Sequence, residues 1–281
     1  MDSSSTSPKA GIYVLGNLVT SPAATASDLI NSDFDYIVLA SMHVSNTGGI
    51  NFNNTPVTSL GSDVLNALKD IHDSGKKIYA SFGGGGLFHG HSVSYYDYSD
   101  IKALIQAHPP SQNPFFTNLS NMFSSMYIDG LDHDLEIYSG QSGYQAFLST
   151  IEAMNEWLFQ NGYESTAAPY QEQDFWTEVL KSAVKGGKQQ MSFMNIQNAA
   201  PGVSNWVSQW QSQATAIGLS NVAAFCSAGL QVSGTSPSQV EQQFKYITTQ
   251  GLYGGWLWNY DNLDRSFSAM DYSQAIKNGL S

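Results

Sequence analysis

One cysteine stands in 281 residues, Cys226, so no intramolecular disulfide can form. It lies in the apolar run 222–226, where a buried, inert thiol is expected. Charge is also scarce: Asp, Glu, Lys and Arg make up 12% of the chain, about half the share usual in soluble domains. Only 11 residues are basic against 23 acidic, a formal net charge of −12. Nucleic acid is excluded as a partner, because phosphate binding needs clustered Lys and Arg. No run of about 18 apolar residues occurs, so no membrane-spanning helix is expected. No Pro- or Ser-rich linker follows residue 10, and the even composition argues for one domain. The stretch from Met1 to Pro8 carries neither a basic patch nor an apolar core, so it shows no secretory signal. Secretion after removal of a signal is the expectation, with a cytoplasmic protein as the alternative.

What is present is apolar and aromatic. Hydrophobic residues reach 42%, with 15 Tyr, 14 Phe and 6 Trp. That is enough to bury a sizeable core and to leave little of the chain disordered. Eight short apolar runs recur, at 11–17, 36–44, 77–84, 130–136, 164–170, 190–197, 221–232 and 253–260. Helical periodicity falls between them, as in 63–73, where Val64, Leu65, Leu68 and Ile71 share a face, and in 144–160. Near-continuous apolar strands alternating with helices indicate parallel βαβ units. Eight units in about 250 residues is the count of a closed α/β barrel. The expected organisation is a flexible N-terminus at 1–10 and a single (β/α)8 TIM barrel at 11–281. An open doubly wound sheet would carry a phosphate-binding turn after its first strand, and Leu15-Gly16-Asn17-Leu18 is not one.

The segment 127–136 reads Tyr-Ile-Asp-Gly-Leu-Asp-His-Asp-Leu-Glu. On a strand, Asp132, Asp134 and Glu136 point to one face and Leu131, Leu135 and Ile137 to the other. His133 then faces outward with a structural role. Three carboxylates in a line inside a barrel would be costly in an ordinary core. Crowded like charges raise one another's pKa, which keeps one acid protonated beside ionised neighbours. General acid/base chemistry follows more naturally than a metal site, since a strand holds its carboxylates in a line and not around an ion. His89 and His91 lack a third ligand. Neither metal nor organic cofactor is expected.

These acids match the fourth-strand signature Asp-x-x-Asp-x-Asp-x-Glu, through Asp129, Asp132, Asp134 and Glu136. Ser81-Phe82-Gly83-Gly84 matches a third-strand motif, Ser-x-Gly-Gly. The run 253–258, Tyr-Gly-Gly-Trp-Leu-Trp, resembles a closing strand whose Trp floors a sugar site. With Ile12-Tyr13 and Ala167-Ala168-Pro169, the sequence resembles glycoside hydrolase family 18, the chitinases and endo-β-N-acetylglucosaminidases, in its small single-domain form. About 20 residues separate strands seven and eight, so the α+β insertion domain of some chitinases is expected to be absent.

The resemblance implies a retaining, substrate-assisted cleavage of β-1,4-linked N-acetylglucosamine, the exception among glycosidases that dispenses with a protein nucleophile. Glu136 would be the acid/base, Asp134 would orient the 2-acetamido group, Asp132 would tune Asp134, and Asp129 would be structural. Substrate-binding positions implied are Tyr13, Ser81, Gly83, Gly84, Met191, Phe193, Met194, Asn195 and Trp258. Chitin and the chitobiose core of N-glycans are both candidate substrates, and a monomer is expected. One departure stands out. The family places a Tyr on strand six, where this chain offers Phe193 or Met194, with Asn195 or Gln197 as neighbouring substitutes. Losing a donor to developing charge costs on the order of 10²–10³ in rate, so a non-catalytic sugar-binding barrel is the rival reading. Tyr95, Tyr96 and Tyr98, then Tyr170, Phe175 and Trp176, then Trp206 and Trp210, are candidate stacking platforms for sugar rings. Asn53 and Asn118 head glycosylation-type tripeptides.

Overall fold

The computed structural model describes residues 7–85, 87–88, 91–137, 142–184, 189–197, 225–247 and 251–281; for 87, 88, 91 and 92 it describes the backbone only. In chain order the strands are β1 (Lys9–Val14), β2 (Tyr36–Val44), β3 (Ile50–Phe52), β4 (Thr55–Pro56), β5 (Lys77–Gly83), β6 (Leu87–Phe88), β7 (His91–Ser92), β8 (Gly130–Asp134), β9 (Glu164–Ala167), β10 (Phe193–Ile196), β11 (Cys226–Gln231) and β12 (Gly254–Trp258). Eight of them, β1, β2, β5, β8, β9, β10, β11 and β12, pair in parallel in that order. β1 pairs with both β2 and β12, setting Gly11 beside Tyr36 and Trp256, and so closes the ring. This is a single (β/α)8 barrel. β3 and β4 extend β2 as a short antiparallel hairpin. β1 begins at Lys9, two residues before the expected domain boundary.

Among the described residues the helices are α1 (Asn17–Thr20), α2 (Pro22–Ile30), α3 (Ser62–Asp73), α4 (Val93–Ala107), α5 (Pro114–Met126), α6 (Leu148–Gln160), α7 (Gln173–Ala183), α8 (Pro237–Lys245) and α9 (Ala269–Leu280). Their starts are written locally. Asn113 caps α5 ahead of Pro114, and α8 and α9 open with capping boxes from Ser236/Gln239 and Ser268/Asp271. In α3 the buried Val64, Ala67, Leu68 and Ile71 form the stripe that meets the barrel. β11 and β12 are joined through α8, with no α+β domain among the described residues.

Two cores result. The larger lies between barrel and helices and takes the outward residues of each strand, including Ile12, Leu39, Leu131, Ile196, Cys226 and Leu257. The smaller fills the barrel with Tyr13, Tyr36, Val38, Ala40, Tyr79, Phe193 and Trp256. Large rings there sit over glycines of neighbouring strands. The Tyr36 ring covers Gly11 and the Trp256 indole covers Gly229, where any Cβ would collide with the ring. Bulk on one strand needs its absence on the next, the dense packing that barrel interiors share with other protein cores.

Candidate active site

The acidic residues enter the barrel because β8 alternates. Leu131, Leu135 and Ile137 lie in the outer core, while Asp132 and Asp134 turn inward. His133 faces outward, fully buried, and links three elements. Tyr98 on α4 lies 2.8 Å from Nδ1, and Asn155 Oδ1 on α6 lies 3.0 Å from Nε2. Asn155 Oδ1 can only accept, and it also accepts from Ser165 on β9. Hence Nε2 carries the proton and Nδ1 accepts from Tyr98. Burial pulls the His133 pKa down to about 4, against a weaker upward pull from Asn155, so the ring is neutral at neutral pH.

Asp132 sits lowest of the three acids. Tyr13 and Ser81 donate to its Oδ2 at 2.8 and 2.9 Å, and Thr166 donates to Oδ1 at 2.7 Å. Asn195 extends this network: its Nδ2 donates to the Tyr13 hydroxyl at 3.3 Å and its Oδ1 accepts from Tyr36 at 2.8 Å. Burial raises the Asp132 pKa, and the donors Thr166, Tyr13, Ser81 and Asn195 pull it back. A carboxylate so surrounded is a held charge, fixed in orientation.

Asp134 is buried with fewer donors. Burial, then the charges of Glu136 and Asp132, push its pKa well above the ordinary carboxylate value, opposed by Gln197. Gln197 Nε2 donates to Asp134 Oδ1 at 2.7 Å and to the carbonyl of Ala168 at 3.0 Å. Both of those partners are acceptors, which fixes the amide's orientation. Glu136, half-buried, stands beyond the end of β8. The glycine run of β5 makes room for these acids. Gly83 and Gly84 have φ of +108° and +107°, which favour glycine. A Cβ on Gly83 would strike the Asp134 carbonyl; one on Gly84 would reach 3.0 Å from Ser41 Oγ, and one on Gly85 2.9 Å from the Glu136 carboxylate. Gly85 is a contributor that motif reading missed.

Trp258, half-buried at the C-terminal end of β12, packs its ring 5.3 Å from Tyr13. It borders the same mouth as the acids. The structure places the other positions in several environments. Tyr13, Ser81 and Asn195 are fully buried in the network around Asp132. Phe193 belongs to the ring stack lower in the barrel, 4.2 Å from Tyr253 and 5.0 Å from Tyr36. Met194 points the other way, into the outer core. Met191 precedes β10 and is buried in that core too. Phe193, Asn195 and Gln197 therefore form the inward set of β10, and the side chain that meets the acids is Gln197. Asp129 lies at the opposite barrel end, accepting from the Ile78 N–H and Lys77 Nζ at 2.8 and 2.9 Å. Thr166, inward on β9, was not expected. Its one signal is phase with the inner face, in a strand that reads Glu-Ser-Thr-Ala.

The aromatic platforms fare differently. Residues 93–107 are helix, and Tyr98 is fully buried against His133. Tyr95 packs on Tyr144 and Phe147. Phe175 and Trp176 line the buried face of α7. Trp206, Trp210 and His89 lie outside the described residues, as does the side chain of His91. Asn118 donates to the Gly48 carbonyl at 2.8 Å from within α5. Among the described residues no three His, Cys, Asp or Glu side chains are grouped to hold a metal.

No family model and no curated protein matches this sequence. Solved structures do. A GH18 chitinase from Pseudoalteromonas aurantia is 20% identical, covering 97% of this chain and 100% of its own, with a TM-score of 0.69. The catalytic domain of a family GH18 chitinase from the fern Peteris ryukyuensis is 20% identical over 96% and 98%, TM-score 0.63. A group IV chitinase from Ostrinia furnacalis, solved in complex with allosamidin, is 12% identical over 97% of each chain, TM-score 0.62. At these identities the likeness is one of fold, and it extends over nearly the whole chain.

Proposed function

We propose that the protein is a retaining endo-glycosidase that cleaves β-1,4-linked N-acetylglucosamine, with chitin or its oligomers as substrate. The observation that carries this reading is the graded line of acids on β8 and just beyond its end. Asp132 is saturated with donors, Asp134 is buried and pushed toward its protonated form, and Glu136 is more exposed at the mouth. The similarity in fold to chitinases supports it.

Glu136 donates its proton to the glycosidic oxygen as the bond to the anomeric carbon breaks. The substrate's 2-acetamido oxygen attacks that carbon from the opposite face and forms an oxazolinium ion. Asp134 accepts from the acetamido N–H and its charge stabilises the cation. Glu136, now a carboxylate, takes a proton from water, which attacks the same carbon and opens the ring. Two inversions leave the β configuration. Gln197 Nε2 donates to Asp134 and so favours its ionised form, only partly offsetting burial, and it leaves Oε1 as an acceptor, so it does not reproduce a phenolic donor. A modest turnover is the consequence. The test is incubation with chitin oligomers and, separately, with a high-mannose glycoprotein, reading products by mass. Shortened oligomers are expected. Release of a glycan carrying one N-acetylglucosamine, with the oligomers untouched, would move the substrate to N-glycans. No products from either would favour a non-catalytic binding barrel.

A further inference from the structure

Glu136 lies two residues beyond β8, and its backbone N–H is not in the strand ladder. Its acceptor is Ser94 Oγ, at 3.1 Å, from the second residue of α4. Ser94 is fully buried. It reaches Glu136 across Gly83, where a Cβ would come 2.8 Å from Ser94 Cβ. The same face of α4 carries Asp97 and Tyr98, three and four residues on. Asp97 accepts from the Val44 N–H at 2.9 Å and sits 2.9 Å from His43 Nδ1, so it ties α4 to β2. Tyr98 ties it to His133 on β8. Three buried polar groups on one helix face thus register α4 against β2 and β8, the strands on either side of β5.

We propose that Ser94 is a positioning residue for Glu136, holding the backbone of the acid so that its carboxyl meets the glycosidic oxygen. This rests on the proposed glycosidase reading. Ser94, fully buried, acts on the reaction through Glu136. A misplacement of about 1 Å in a reacting group can cost on the order of 10²-fold in rate, and this hydrogen bond ties the Glu136 backbone to α4 past the end of its strand.

The experiment compares wild type, Ser94→Ala, Ser94→Thr and Ile101→Val on a soluble N-acetylglucosamine oligomer. Ile101 is a buried apolar residue of α4 in the outer core, and trimming it perturbs helix packing while keeping the Ser94 hydroxyl. Ser94→Ala is expected to lower kcat roughly tenfold to a hundredfold with KM within about twofold. Ser94→Thr, which keeps the hydroxyl, should restore most of kcat, and Ile101→Val should leave it unchanged. Amide hydrogen exchange is read in parallel. The Glu136 N–H should be protected in wild type and exchange at least about tenfold faster in Ser94→Ala, the two Asp amides of β8 staying protected. Wild-type kcat in Ser94→Ala, or an unprotected Glu136 amide in wild type, overturns the assignment. An inert wild type with the exchange pattern intact defeats the glycosidase reading and leaves Ser94's hold on Glu136 standing.

Discussion

Asp134 is the residue with most to lose from the fold. Burial and two neighbouring carboxylates raise its pKa, and Gln197 only partly offsets them. The folded state therefore binds this proton more tightly than the unfolded chain does. Its destabilising effect is absent below the ordinary carboxylate pKa and grows as pH rises toward the raised one. Asp134→Asn removes the charge and keeps an acceptor for Gln197. That variant should lose activity while gaining stability at pH 7, on the order of 1–2 kcal/mol, the usual size of such relief at a functional site. The gain should shrink toward pH 4, as read by denaturant unfolding. Equal or lower stability of Asp134→Asn at pH 7 would remove the conflict between folding and chemistry argued here.

At the scale of elements, the eight strands are legible from short, largely apolar runs alternating with helical periodicity, although β9 reads Glu-Ser-Thr-Ala. Period two also fixed which β8 residues face inward. Depth was not legible. Tyr13, Ser81 and Asn195 face the interior, yet they are fully buried and their polar groups are engaged with Asp132 and one another. Met191 shares the parity of Phe193, but it precedes β10, where alternation no longer holds. The role of α4 was invisible for another reason: Ser94 and Glu136 are 42 residues apart, and nothing local marks the contact. The link among Tyr98, His133, Asn155 and Ser165 is of the same kind, and it carries a pH dependence. With the folded pKa of His133 at about 4 against an ordinary 6.5, the unfolded chain binds the proton more readily between those values. Stability from this group is full above pH 6.5 and falls as pH drops toward 4, by roughly 3 kcal/mol at about 1.36 kcal/mol per unit. Asp132 and Asp134 slope the other way, so the comparison is a difference. Going from pH 7 to 4.5, wild type should lose more stability than His133→Gln. Parallel losses would show that His133 does not titrate as its burial requires.

Over the whole molecule the two ends of the barrel are built differently. Lys9 and Lys277 pair with Asp35 at 3.0 and 3.1 Å, and Lys77 pairs with Asp129 and Glu164 at 2.9 and 3.3 Å. That closes the N-terminal end with ion pairs over stacked rings. The carboxyl end keeps three acids, with Asp132 matched by several donors and Asp134 raised in pKa by burial and by its neighbours. Conserving charge balance below and leaving it unresolved above is how a barrel separates its stability from its chemistry. The opening scarcity of basic residues takes on meaning in this light: Lys9, Lys77 and Lys277 are gathered at the end away from the acids. The measurement that tests the account most directly is the anomeric form of the first product released from a soluble N-acetylglucosamine oligomer, followed by proton NMR, with wild type and Glu136→Gln side by side. The account predicts β-anomer from wild type and a rate lower by about 10²-fold or more in the variant. An α-anomer, or a variant as fast as wild type, would contradict it.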